Sequence, residues 1–326
     1  MAVYTEVTDE ALRSFLADYP LGTLRAFRGI AEGVENSNYA LKTEAGDFIL
    51  TLYEKRVDPR ELPWFLALME HLAARGMACP LPVKALDGQP LRTLAGRPAA
   101  ICTFLAGVWP RRVRPEHCAP LGDALARLHL AGADFLETRP NGLGPPAWAP
   151  LLDRCRPGGD AVQAGLIAEL DAALAGILAA WPAEGALPTG QIHADLFPDN
   201  VFFLDGEGGT PRVSGLIDFY FACTDLLAYD IAVCLNAWCF EPDGSYNVTK
   251  AHALLAAYQR LRPLSAAERA ALPVLCRGAA IRFLLTRLYD WTATPAGALV
   301  TRKDPLEYLR KLRFFARAEG PASLGL

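Results

Sequence analysis

The chain has 326 residues, of which 52% are hydrophobic and 21% charged, and its formal net charge is −4. That is enough apolar sequence for one large or two modest cores, and the basic excess that a nucleic-acid binder carries is missing. The eight cysteines are scattered without a CxxC pair, most of them inside apolar runs such as Ala100-Ile101-Cys102, so they read as buried hydrophobes in a reducing compartment. Residues 1–6 show neither a basic leader nor an apolar signal core, and no uncharged apolar stretch approaches the ~20 residues of a spanning helix. The expectation is a soluble, cytoplasmic protein with no nucleic-acid and no membrane partner.

Residues 8–19 place Leu12, Phe15, Leu16 and Tyr19 at helical spacing behind Thr8, a candidate N-cap, and Pro20 and Gly22 end the run. Three strand-like runs follow: Leu24–Gly29, Tyr39–Thr43 and Phe48–Tyr53, the last two joined by the hairpin-type Glu44-Ala45-Gly46-Asp47. Leu62, Phe65, Leu66, Met69 and Leu72 form a helical stripe that stops at Gly76. Val83–Leu86 and Ala99–Phe104 read as two more strands, around the turns Asp87-Gly88 and Ala95-Gly96. The cluster Arg111, Arg112 and Arg114 reads as a solvated loop. From about residue 106 helical periodicity dominates, with Leu121, Leu125 and Leu128 in one element, Leu166 to Leu178 in another, and several more after residue 225. One β-rich island, Val201–Leu204 and Val213–Ile217, spans a Gly-rich turn. The expected fold is α+β with two lobes, a β-sheet lobe over residues 1–105 and a larger helical lobe over residues 106–326.

The stretch from His193 through Asp195 to Asn200 has the H-x-D-x-x-x-x-N spacing of a kinase catalytic loop, and Ile217-Asp218-Phe219 follows at the end of a strand. Phosphoryl transfer asks the protein for a carboxylate to accept the acceptor hydroxyl's proton, and for oxygen ligands that hold Mg²⁺ on the ATP phosphates. Asp195 suits the first role; Asn200 and Asp218 suit the second. Taken singly these residues are turn formers, but in this order they read as a site. His193 suits a structural role near Asp218, and Asp230 that of a buried charge bracing the loop. The remaining histidines, 71, 117, 129 and 252, share no metal-ligand spacing and read as helix residues. The loop Gly29–Ser37, which contains Gly33, lies where a nucleotide-covering loop belongs. Residues 103–107, from Thr103 through Leu105 to Gly107, join the lobes and offer backbone groups to adenine. After Asp218 the chain runs almost at once into the apolar helix Leu226–Cys239, with no long activation segment and no Ala-Pro-Glu motif. The phosphate acceptor is therefore expected to be a small molecule.

His193–Asn200 together with Ile217-Asp218 resembles the aminoglycoside phosphotransferase and choline kinase superfamily, whose fold is protein-kinase-like. Five stretches, 33–39, 50–56, 193–204, 215–222 and 282–291, resemble more narrowly the homoserine kinases of that superfamily, and the likeness runs over nearly the whole chain. The resemblance implies phosphorylation of the side-chain hydroxyl of L-homoserine with ATP and Mg²⁺. It further implies Asp195 as the base, Asn200 and Asp218 on the metal, Gly33, Asn36, Lys55, Thr103 and Leu105 on ATP, and Tyr220 and Arg282 on the acceptor. One position departs from the superfamily. Its third strand carries a Lys or Arg for the nucleotide phosphates, and Thr51 stands there; Lys42 and Lys55 are both near in sequence, with Glu61 and Glu70 the acids in reach. Homoserine carries a carboxylate beside its ammonium, so its pocket needs a cation. Arg282 and Arg287 lie on a helix whose apolar face is Ile281, Leu284, Leu285 and Leu288. Two alternatives stand beside this reading: a kinase for choline, ethanolamine or an aminoglycoside, and a non-catalytic kinase fold serving as a binding module. The presence of Asp195, Asn200 and Asp218 argues against the second.

Overall fold

A computed structural model describes residues 4–30, 36–54, 58–294, 302–318 and 320–326. It divides into two compact units, the first made of residues 1–107 and 214–220, the second of 108–213 and 221–326. The cut expected at 105/106 is continuous in sequence; the observed division returns seven later residues, Ser214–Tyr220, to the first unit.

In the first unit, helix α1 (Asp9–Leu16) starts where Thr8 Oγ1 accepts the Ala11 N–H at 3.2 Å, with Asp9 and Glu10 facing the positive end of the helix dipole. Strands β1 (Leu24–Gly29), β2 (Ser37–Thr43), β3 (Asp47–Leu52), β4 (Leu91–Leu94) and β5 (Arg97–Thr103) form one antiparallel sheet in the order β1-β2-β3-β5-β4. Alternate residues of β2, Ser37, Tyr39, Leu41 and Thr43, are buried, the period of two that one covered face imposes. Leu12, Phe15 and Leu16 of α1 join Tyr39, Leu41, Leu50 and Ile101 in one core. Helix α2 (Leu62–Ala74) follows β3 in the chain.

Val83–Leu86 is not a strand. Pro82 bridges Cys102 and the Val83 N–H reaches Ile101 O at 2.8 Å, but Ala85 already belongs to the turn, bonding Gln89 O, and Leu86 is 73% exposed. The turn at Asp87-Gly88 takes up the backbone groups a strand needs, and the edge strand beside β5 is β4 instead.

The second unit holds α3 (Pro115–Ala131), α4 (Pro145–Val162), α5 (Leu166–Ala180), β6 (Thr189–Ile192), β7 (Val201–Asp205), β9 (Cys223–Leu226), α6 (Leu227–Trp238), α7 (Val248–Leu261), α8 (Ala266–Ala293) and α9 (Pro305–Ala316), while the chain crosses between units within β8 (Pro211–Leu216). Every residue of α6 except Ala237 is buried, as for a helix apolar on all sides. Helices α3 and α7 pack so closely at Gly122 that a Cβ there would lie 2.1 Å from Leu254 O. Strands β6 and β9 pair antiparallel, Ile192 opposite Cys223, and β7 and β8 form a separate two-stranded sheet. Among the described residues no helix is long and apolar enough to cross a membrane.

Candidate active site

Strand β6 delivers the chain into the loop 193–200, which closes in a single 3-10 turn, Pro198–Asn200, and continues as β7. Between them Ala194 takes a left-handed φ of 61°, a conformation that costs a residue with a Cβ roughly 1–2 kcal/mol. It is pinned on both sides. Its N–H donates to Asp230 Oδ1 at 2.9 Å, and its carbonyl accepts from Arg282 Nη1. The turn is thereby over-determined by two buried side chains, and it sets the direction of Asp195, the next residue.

Asp230 sits on α6, fully buried, and its other oxygen accepts the His193 N–H at 2.8 Å. Burial pushes this carboxyl up, but the His129 hydrogen bond, the charges of His129 and His193 and the His193 N–H outweigh it, leaving the group below the usual carboxylate range. His129 Nε2 on α3 lies 3.2 Å from Asp230 Oδ2, and its Nδ1 2.7 Å from the Tyr258 hydroxyl of α7. Arg262 Nη1 donates to that hydroxyl at 3.0 Å and Nη2 to Glu268 at 2.7 Å. A buried polar chain therefore runs from Glu268 to the backbone of the loop. Sequence reasoning expected Asp230 to brace the loop, and it does; it missed His129, Tyr258 and Arg262.

Asn200 Nδ2 donates to Asp195 O at 2.8 Å and approaches Asp195 Oδ2 at 3.4 Å. That commitment turns Oδ1, the hard oxygen, away from Asp195. An amide oxygen and a carboxylate are each the kind of hard oxygen donor that a small divalent cation takes, so the chemistry of Asn200 and of Asp218, each within its own unit, fits one. Arg282 on α8 is 2% exposed, with Nη2 at 3.9 Å from Asp195 Oδ1 and the guanidinium 4.3 Å from the Phe283 ring. The second unit thus brings Asp195, Asn200 and Arg282 together.

The first unit holds the other expected residues. Asp218, just past β8, has a φ of 64°. Tyr220 is bound into an aromatic cluster: its hydroxyl lies 2.9 Å from that of Tyr53, and its ring meets Tyr53 and Phe65 edge to face at 5.2 and 5.8 Å. Burial pushes both phenols up, so both stay neutral. Asn36 is 6% exposed and accepts the Glu54 N–H at 3.2 Å, tying the start of β2 to the end of β3. Thr103 spends its N–H on Leu81 O and its hydroxyl on Leu81 N–H. The Leu105 side chain packs on Gly215, where a Cβ would lie 2.5 Å from it. Gly33 and Lys55 lie outside the described residues. Thr51 donates to Asn38 Oδ1 at 2.8 Å, and Glu70 pairs with Lys84 at 3.0 Å.

An antiparallel sheet unit, a helical unit and an H-x-D-x-x-x-x-N loop braced from beneath are the parts of a kinase-fold phosphotransferase. Residues 26–264 match the family described as Phosphotransferase enzyme family, and the chain belongs to that family, whose enzymes use ATP with a divalent metal. Its relatives carry a particular name. Homoserine kinases of Gluconacetobacter diazotrophicus and Acidiphilium cryptum are each 68% identical over 326 residues, 100% of both chains, and that of Brucella anthropi is 60% identical over 100% of this chain and 98% of its own. The fold is shared with an amicoumacin kinase solved with AMP-PNP and Ca²⁺ (TM-score 0.69, 14% identity, 97% of this chain and 95% of that one). It is also shared with a microcompartment-associated aminopropanol kinase (TM-score 0.63, 18% identity, 98% and 99%).

Proposed function

We propose that this phosphotransferase, working in the cytoplasm, transfers the γ-phosphoryl group of ATP to the side-chain hydroxyl of L-homoserine, forming O-phospho-L-homoserine and ADP. The observation that carries the reading is end-to-end identity of 68% to homoserine kinases, with no part of either chain left over. Asp195 accepts the hydroxyl proton, and Ala194's pinned turn holds the carboxylate for it. Asn200 and Asp218 hold Mg²⁺, which when bound neutralises charge on the phosphates. The proposed ATP contacts remain Gly33, Asn36, Lys55, Thr103 and Leu105. Thr103 and Phe104 spend their N–H groups on Leu81 and Asp47, and Ala106 its carbonyl on Ser214. The backbone of Leu105 is among the groups these bonds leave for adenine. Tyr220 contributes a ring wall on the acceptor side, its hydroxyl being shared with Tyr53. Arg282 acts on the acceptor through Asp195, whose charge it accompanies.

The test is ADP release with L-homoserine, L-serine, L-threonine, choline and an aminoglycoside under one Mg·ATP concentration. Homoserine should lead. Serine and threonine hold the hydroxyl one carbon nearer the α-carbon, and misplacement from the base costs about 10²-fold. Choline or the aminoglycoside matching homoserine in kcat/KM would refute the acceptor while leaving the phosphotransfer chemistry standing.

A further inference from the structure

Beside the Asp195 turn three aromatic rings stand in a row. Phe197 lies 4.9 Å from Phe283, and Phe283 5.3 Å from Tyr308. Each ring carries positive charge. Lys303 Nζ is 5.6 Å from the centre of Phe197, the Arg282 guanidinium 4.3 Å from Phe283, and Arg287 and Lys311 are 4.5 and 4.3 Å from Tyr308. Four cations share two carboxylates: Glu307 serves both Arg287 and Lys311 at 2.6 Å, and Asp195 stands 3.9 Å from Arg282. Lys303 differs from the other three. It is exposed, and among the described residues no carboxylate lies within ion-pair distance of it, whereas the side chains of Arg282, Arg287 and Lys311 are 2, 12 and 7% exposed and paired. Within the same row the Tyr308 hydroxyl and Arg282 Nε are buried with no hydrogen-bond partner among the described residues. A row of rings flanked by four cations against two carboxylates, open to solvent at one end, favours an anion at that end.

We propose that Lys303 is a specificity-determining residue that receives the α-carboxylate of the acceptor, a deepening that rests on the homoserine reading above. Lys303 lies over Phe197, whose N–H donates to Asp195 O at 2.8 Å, so the ring that carries the cation and the base belong to one turn of chain. Arg282 is spent on Ala194 and hidden from solvent, and Arg287 is held by Glu307 and Asp304 O. Of the four cations of this row, all among the described residues, Lys303 is the one left for an incoming carboxylate. The same charge would also suit an ATP phosphate, and the two sources separate kinetically.

Lys303→Ala is compared with the parent on L-homoserine and on 3-amino-1-propanol, which is homoserine without its carboxylate. For homoserine kcat/KM should fall by ~10–10²-fold, the worth of a hydrogen bond to a charged group, and chiefly through KM. Aminopropanol should be unaffected within about 2-fold, and Lys303→Arg should recover most of the loss on homoserine. Equal losses on both substrates, or an unchanged homoserine KM, would overturn the assignment. A raised KM for ATP with homoserine KM unmoved would give the lysine to the phosphates instead. If the parent itself ignores homoserine while phosphorylating another alcohol, the functional reading falls, and this inference with it.

Discussion

Replacing Asp230 with asparagine removes one charge and exchanges one acceptor for a donor, and every group facing that position is a donor or a ring nitrogen. Oδ1 receives Ala194 N–H, while Oδ2 receives His193 N–H and faces His129 Nε2. Whichever way the amide settles, its NH₂ meets at least one backbone N–H head on. A hydrogen bond to a charged group is worth about 1.5–3 kcal/mol and to a neutral one about 0.5–1.5, so one bond lost and the others weakened amount to about 3 kcal/mol. That penalty exceeds the strain stored in the left-handed turn at Ala194, so the turn should relax and carry Asp195 with it. A shift of about 1 Å at the base is worth ~10² in rate. The expected outcome is kcat lowered about a hundredfold, a lower melting temperature, and a dissociation constant for Mg·ATP within a few-fold of the parent. Wild-type kcat in a protein that melts lower would refute the reasoning, since Asp230 would then hold the fold and not the base.

Asp195→Asn should lower kcat by ~10²–10⁴, the usual share of a positioned general base, with nucleotide binding kept; near-normal turnover would remove Asp195 from that role. Asp218→Ala should abolish turnover and weaken Mg·ATP binding in a titration, because the phosphate charge loses a fixed partner. Gly122→Ala pushes a methyl to 2.1 Å from the Leu254 carbonyl, a backbone atom that cannot swing aside, and should lower stability to urea by about 3 kcal/mol. Burial raises the Glu307 carboxyl, but Lys311 and Arg287 outweigh it and bring its pKa down from 4.5 to about 2. A depressed folded pKa gives stability that is full above pH ~4.5 and is lost as pH falls toward 2. With 42% of that side chain exposed, screening by water limits the contribution to about 1 kcal/mol. The melting temperature of Glu307→Gln should therefore fall less steeply than the parent's between pH 5 and pH 3, and parallel curves would contradict the assignment.

Local signals were legible and long-range ones were not. The H-x-D-x-x-x-x-N spacing lies within eight residues, so a linear pattern carries it, and the Thr8 cap with its apolar stripe did the same for α1. Helix α4 escaped notice because Pro150, Pro157, Gly158 and Gly159 argue against a helix interior, although Pro145 and Pro146 suit a first turn. Its partners make it one: Trp148 is buried, and Gly159 lets Ile167 approach where a Cβ would lie 2.4 Å from its Cδ1. Strands β6 and β9 are four residues each and meet across more than thirty residues of chain, too short for an alternation to show. The chain from Asp230 through His129 to Tyr258 joins three helices, and no spacing in sequence announces it. Thr51 presents the opposite case. Sequence alone showed that the strand lacks its basic residue, and the structure adds that the hydroxyl is occupied by Asn38.

All eight cysteines are free and buried, and burial raises every thiol: Cys79, Cys102 and Cys118 to about 12, Cys155 to about 11, and Cys223, Cys234, Cys239 and Cys276 higher still. Reaction with an alkylating reagent goes through the thiolate, so the folded chain is inert to such reagents at neutral pH and each sulfur becomes reactive only when its surroundings open. Cys79 and Cys102 belong to the sheet unit and the other six to the helical unit. The mass gained in a brief alkylation pulse is thus a readout of which unit has opened: two adducts for the sheet unit, six for the helical unit, eight for the whole chain. The protein carries its own unfolding probes, already assigned to their units, without a single introduced label.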